Sequence, residues 1–183
     1  MEPPIAGLFG KLPAHGDFVR RGWPDETVDA VDGWLTAGIA AARETRDDAD
    51  FATWMHAAPM WQGYVPPGVL GPMALHVGVA PSIDRAGRLF PIAAGIAGEA
   101  QAVWPRTSGF GALLDTAIYH AIAGLVDADG LVEAISIDTA GVAGGQAPAT
   151  SAWWMGAPAG PPAVEAEAVD AGLLERLLGE GQA

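Results

Sequence analysis

Apolar positions along the chain follow two periods. Residues 5-IAGLFG-10 make a short apolar, aromatic run closed by glycine, the pattern of a buried strand. The spacing then turns helical over about 26–44, where Val28, Val31, Leu35, Ile39 and Ala42 recur every three or four positions on one face. Asp25 is the predicted N-cap of that helix, with Glu26 in its first turn. A shorter helix is expected over 50-DFATWMHA-57, ended by Pro59, and a strand over 60-MWQGYV-65, stopped by 66-PPG-68. Two further strands, near 73-MALHVGV-79 and 89-LFPIAAGI-96, flank the turn-rich 80-APSIDRAGR-88 and are most economically an antiparallel hairpin.

The second half reads less regularly. A helix over about 108–126, capped by Ser108, carries a broad stripe of Phe110, Leu113, Leu114, Ala117, Ile118, Ala121, Ile122 and Leu125. Segment 130-GLVEAISI-137 fits either helix or strand. Residues 140–150 form a loop, 151-SAWWMG-156 a strand-like run, 157–168 a loose Ala/Pro/Gly connector, and 170–179 a terminal helix. Helices and hairpin-like strands mix instead of alternating in βαβ units. That favours an α/β sandwich with a mixed or antiparallel sheet over a doubly wound one.

Length and composition bound this picture. The chain has 183 residues, half of them hydrophobic, which fits one domain with a real core. Its formal net charge of −13 repels phosphates, so nucleic acid and anionic lipid are poor partners and a basic surface is a better one. Cysteine is absent, which removes disulfides and thiolate metal sites and suits a reducing compartment. Residues 1–10 lack a secretory signal's basic start and long apolar run, and no run is apolar enough to span a bilayer; a cytoplasmic location is expected, without membrane insertion.

The scarce cations are not spread evenly. Lys11, Arg20 and Arg21 fall in 10-GKLPAHGDFVRRGWP-24, and Arg85 and Arg88 in 81-PSIDRAGRLFP-91, so two turns hold five of the nine basic residues. The run Gly7-Leu8-Phe9-Gly10-Lys11 is too short for a phosphate loop, and Leu12 stands where a magnesium-binding hydroxyl is needed. The run 16-GDFVRRG-22 is similar to the GDxVDRG signature of metallophosphoesterase-type phosphatases, but Arg20 replaces its second acid and the other ligand motifs are missing. His15 with Asp17 is a conceivable acid–base pair, yet no nucleophile or second base is indicated, and a structural hydrogen bond is the simpler role. No catalytic, cofactor or metal residue is assigned.

What remains for Lys11, His15, Asp17, Arg20, Arg21, Asp84, Arg85 and Arg88 is a polar cluster, structural or partner-binding. The spacing favours internal ion pairs: the 11–22 and 84–88 turns side by side, with Asp17 and Asp84 orienting Arg20 and Arg88. Of the seven tryptophans, the adjacent Trp153 and Trp154 face opposite sides if 151–156 is a strand, which makes one of them a candidate interface residue.

Taken in order, 7-GLFGKLPAHGDFVRRG-22, Trp34-Leu35, 81-PSIDRAGRLFP-91 and 151-SAWW-154 resemble the TagF (ImpM) family of type VI secretion system-associated proteins. Gly10, Lys11, Pro13, Gly16, Asp17, Phe18, Arg20, Asp84, Gly87, Arg88 and Pro91 match its pattern. The resemblance spans about residues 5–156 and implies a three-layer α/β/α sandwich, consistent with a mixed, largely antiparallel central sheet in a domain of residues 1–156; the connector and C-terminal helix of 157–183 are expected to pack on the same domain. It implies a cytoplasmic, non-enzymatic accessory that represses assembly post-translationally by binding the system's forkhead-associated (FHA) scaffold protein. A PP2C-type phosphatase, opposing a threonine kinase, would be a separate partner. Against it stand a metal-dependent hydrolase using Asp17, His15 and Asp84, and a sensor of an anionic metabolite.

Overall fold

The structure, a computed structural model, describes residues 2–104, 109–136, 146–158 and 160–179. Its strands are β1 (Ile5–Gly10), β2 (Val19–Arg21), β3 (Trp61–Val65), β4 (Ala74–Ala80), β5 (Ile92–Gly98), β6 (Ser151–Met155) and β7 (Val164–Ala166). They form one sheet in the order β2-β1-β5-β4-β3-β6-β7. Every strand pairing is antiparallel. Of the mixed or antiparallel sheet expected from the sequence, the described residues form the antiparallel one, with a single isolated parallel bridge, Trp61 to Gly156.

The helices are α1 (Asp25–Glu44), α2 (Asp48–Ala57), α3 (Ala100–Val103), α4 (Gly109–Ile122), α5 (Ala128–Ser136) and α6 (Ala171–Gly179). Strand alternation sorts them onto two faces. Leu75, Val77 and Val79 of β4 join a core with Val31, Leu35, Phe51 and Leu177, from α1, α2 and α6. Ile92, Ala94 and Ile96 of β5 join another with Phe110, Leu114, Ile118, Leu131 and Ile135, from α4 and α5. With helices on both faces, a central strand is covered at every position, which is why β4 is the fully buried run ALHVGVA, apolar but for His76.

The ends of elements show where local signals were overridden. Pro24, not Asp25, stands at the N-cap of α1, and no side chain caps that helix. The Asp25 carboxylate is drawn instead to Arg20, 2.6 Å away. Helix α2 begins two residues before the predicted segment because Asp47 caps it, accepting a hydrogen bond from the Asp50 amide at 2.9 Å. The ambiguous 130–137 segment is helical from Ala128 to Ser136. Two short strands were not foreseen: β2 lies inside the opening loop and β7 inside the predicted connector. Three-residue edge strands carry too short a period to read, and only their partners define them. Ser108 and residues 140–145 of the predicted loop lie outside the described residues.

Trp153 and Trp154 point to opposite faces, as neighbours on a strand must. Trp153 packs on Trp34 with ring centroids 5.5 Å apart, while Trp154 joins Tyr64 and Val103 on the other side. Both are buried, 0 and 6% exposed. Neither stands on an open surface, because both faces of the sheet are covered.

Helix α6 closes the α1 side. The Trp34 indole donates to the Asp170 carbonyl at 2.8 Å, and Arg46 pairs with Glu175 at 2.8 Å. Across β3 and β6, Gly63 is opposite Trp153, and a methyl added there would lie 2.4 Å from the indole carbon Cε3. Gly63→Ala should therefore lower the unfolding free energy by about 1–3 kcal/mol through overpacking, read by urea denaturation; an unchanged midpoint would show that the indole relaxes freely.

Candidate functional site

The cluster is built by two turns at one end of the sheet. Pro13 occupies the second position of a turn closed by the His15 amide on the Leu12 carbonyl at 3.0 Å, with Leu12 buried as its anchor. The second turn is a tight hairpin in which Ile83 bridges Leu89 and the Gly87 amide donates to the Asp84 carbonyl at 2.9 Å. Its sequence, Asp-Arg-Ala-Gly-Arg, fits that geometry. Asp84 starts the turn, and Gly87 takes the left-handed conformation (φ 80°) that returns the chain to its partner.

Asp84 is the hub. Its carboxylate is buried, 1% exposed, and receives four donors. Oδ1 accepts the backbone N–H groups of Ala86 at 2.9 Å and Arg88 at 3.0 Å. Oδ2 accepts Arg88 Nε at 2.7 Å and Lys11 Nζ at 3.0 Å. Burial alone raises the Asp84 carboxyl, but the Arg88 backbone bond, the Lys11 and Arg88 side-chain bonds and the Lys11 charge outweigh it. Together they hold it well below the usual carboxylate range. Lys11 is itself buried, so this is an ion pair inside the protein.

The turns are also joined by backbone. Arg88 Nη2 reaches the Gly16 carbonyl at 2.7 Å, the Arg85 amide donates to the His15 carbonyl at 2.7 Å, and the Arg85 guanidinium donates to the Ala14 carbonyl. His15 extends the clamp to α5, its Nε2 accepting the Ala128 N–H at 3.2 Å. The expected contact between the 11–22 and 84–88 turns is thus present, and Asp84 does orient Arg88. The other expected pair is not formed. Arg20 bonds Asp25 at 2.6 Å and Arg21 bonds Asp129 at 2.7 Å, both at the surface, while Asp17 Oδ1 accepts only its neighbour's amide, Phe18 N–H, at 2.8 Å. Arg20 lies on β2 and points to the start of α1, so Asp25 is the nearer acid.

An aromatic group covers the clamp. Phe18 stacks on Phe9 with centroids 5.7 Å apart and meets Phe90 edge-on at 4.8 Å. Lys11 Nζ lies 4.9 Å from the Phe18 ring centroid. Phe18 nevertheless remains 47% exposed. The sequence marks Phe18 as a family-pattern residue inside the first charged run, but its place over Lys11 and its exposure needed the fold.

A second polar network is buried under α4. Gln62 Nε2 donates to the Gly111 carbonyl at 2.7 Å and to Asp115, so its Oε1 faces His76 Nε2 at 2.8 Å. His76 Nε2 therefore carries the proton, and Nδ1 is left without a partner. Full burial lowers the His76 pKa to about 3, so the ring is neutral. In the sequence His76 stands inside the apolar run 73-MALHVGV-79, and its link to Gln62 and Asp115 needed the fold.

These features define an antiparallel α/β domain closed at one end by an internally neutralised pair of turns. Residues 7–136 match the TagF N-terminal domain, Type VI secretion system-associated, and the chain belongs to that family. No curated relative matches it in sequence. Its fold is similar to that of PA0076 from Pseudomonas aeruginosa PAO1, with a TM-score of 0.78 at 23% identity, over 96% of this chain and 94% of the other.

Two outcomes follow from the buried charges. Asp84→Asn leaves Lys11 buried without its counter-charge and should lower the melting temperature by on the order of 10 °C; Arg88→Ala, which leaves the Lys11 pair intact, should cost clearly less. The acid dependence has a defined sign. His76 is neutral in the fold down to about pH 3, but the unfolded chain takes up its proton below the ordinary value of 6.5, so stability falls as pH drops through that window. Asp84, ordinarily 3.8 and lower in the fold, adds a contribution that is full above that value and lost as pH falls further. Urea unfolding followed from pH 7 to about pH 2 should show both limbs, the lower one only below 3.8, with His76→Gln removing the upper and Asp84→Asn the lower.

Proposed function

We propose that this chain is a non-enzymatic accessory of a type VI secretion system that acts in the cytoplasm. In this reading it represses assembly post-translationally by docking on the FHA scaffold protein, and any PP2C-type phosphatase and kinase are separate partners. Membership of the TagF family carries the reading. Phe18 supports a docking role: it is an exposed aromatic ring fixed in place by Phe9, Phe90 and Lys11. A pre-ordered aromatic loses little conformational freedom on binding and is a favoured interface anchor. Asp17 beside it offers a carboxylate that no cation neutralises among the described residues.

The rival readings fit the geometry less well. A hydrolase would need Asp84, His15 and Asp17 to converge on one reacting centre. Asp84 has both oxygens filled by internal donors, and His15 Nε2 is directed at Ala128. An anionic metabolite would have to displace the carboxylates and carbonyls that Lys11, Arg20, Arg21 and Arg88 already hold.

Binding of the purified FHA scaffold, measured by calorimetry, tests the proposal. Phe18→Ala should weaken it by about 30-fold or more, the range of an anchor residue, and Asp17→Arg should weaken it as well, both in chains that still unfold cooperatively well above the binding temperature. Folded variants that bind like the parent chain would remove this surface from the interaction, and a wild-type chain that does not bind the scaffold would remove the partner.

A further inference from the structure

A second surface lies on the Ile5 side of the sheet, where β1 begins and β5 ends. A groove of about 390 Å³ opens there between the N-terminal segment, the β3–β4 connection and the start of α3. Ile5, Pro67, Pro72 and Met73 supply apolar walls, and among the described residues Glu2 and Glu99 are the charged side chains that line it, with no lysine or arginine. The prolines have fixed backbone torsions, so much of the wall is pre-shaped.

Ile5 marks the groove as open. It is the one position of β1 that is not buried, 37% exposed, whereas the next five residues are all inside. A branched aliphatic residue on a central strand, paired with Ala97 yet bare on one side, is where an incoming apolar side chain would gain most. Glu99 is available too. It stands at the N-cap of α3 but its side chain makes no capping bond. The two carboxylates belong to a chain of net charge −13, so the local field and the whole-protein field have the same sign.

We propose that this groove is a docking site for an extended segment of a partner protein in which apolar residues alternate with lysine or arginine. The apolar side chains fill the space between Ile5, Pro72 and Met73, and the cations meet Glu2 and Glu99. A second copy of this chain is the wrong occupant on charge, since it would bring a net negative surface to two carboxylates. The site is separate from the Phe18 surface and does not depend on its reading.

The test is an NMR titration of the isotopically labelled full chain with an acetylated hexapeptide of alternating leucine and lysine. A leucine–glutamate hexapeptide is the control. The leucine–lysine peptide should shift the amides of Ile5, Met73 and Gly98, more weakly at high salt, and Glu99→Lys should weaken the interaction at least tenfold. Glu99 is exposed, so an otherwise unchanged spectrum will show that the variant is folded. Met73→Ala, which keeps the charges, should also weaken it. The proposal is overturned if the peptide shifts other surfaces or none, if the acidic peptide shifts the groove equally, or if the same amides shift with protein concentration alone.

Discussion

One buried carboxylate organises this molecule. Asp84 sits at the tip of the β4–β5 connection, and its four donors come from its own turn and from Lys11, at the end of β1. A charge in that position is tolerable only while every lone-pair direction is filled. The chain must therefore bring residues 11–16 against residues 84–88, and Gly16 and His15 complete the join through their carbonyls. From there the constraint spreads. His15 holds the first turn of α5, Arg21 holds Asp129 beside it, and Phe18 is laid over Lys11. A small set of polar contacts thus sets the relation between β1, the β4–β5 turn and α5.

That arrangement changes what the basic residues mean. Seen as a list, five cations in two turns look like a receptor for an acidic group. In the fold, Lys11 and Arg88 neutralise Asp84, Arg20 and Arg21 take surface aspartates, and Arg85 caps a carbonyl. The exposed pairs contribute little to stability, but each lowers the field available to a ligand. The two docking surfaces proposed above rest instead on shape and apolar surface, at Phe18 and in the Ile5 groove, the second of them lined by acid.

Covering both faces of the sheet has its own consequences. It buries β4 at every position, buries both Trp153 and Trp154, and requires Gly63 where the Trp153 ring crosses β3. It also strands polar atoms. His76 lies on a central strand under α4 and survives there because Gln62 Oε1 accepts its hydrogen bond while Gln62 Nε2 donates to Gly111 and Asp115. The same covering leaves the outermost strands β2 and β7 short, with charged residues on them: Arg20 and Arg21 on one, Glu165 on the other. Charged, short edges resist pairing with other chains.

Much of this was legible from residue order alone. Periodicity placed β1, α1, α4 and the β4–β5 hairpin, because each has a run long enough for its period to repeat. The Asp-Arg-Ala-Gly-Arg turn was readable because its chemistry is local, and the family pattern followed from the same short motifs. Of the ion pairs, the local one, Asp84 with Arg88, was readable; the others were not, for Arg20 chose Asp25 over Asp17, and Lys11 chose Asp84 across more than seventy positions. Strands β2 and β7, the exposure of Phe18 and the groove at Ile5 belong to the same class. Local sequence determines the conformations a segment can adopt, whereas burial and partner choice depend on which distant segments arrive within a few ångströms, and only the folded chain decides that.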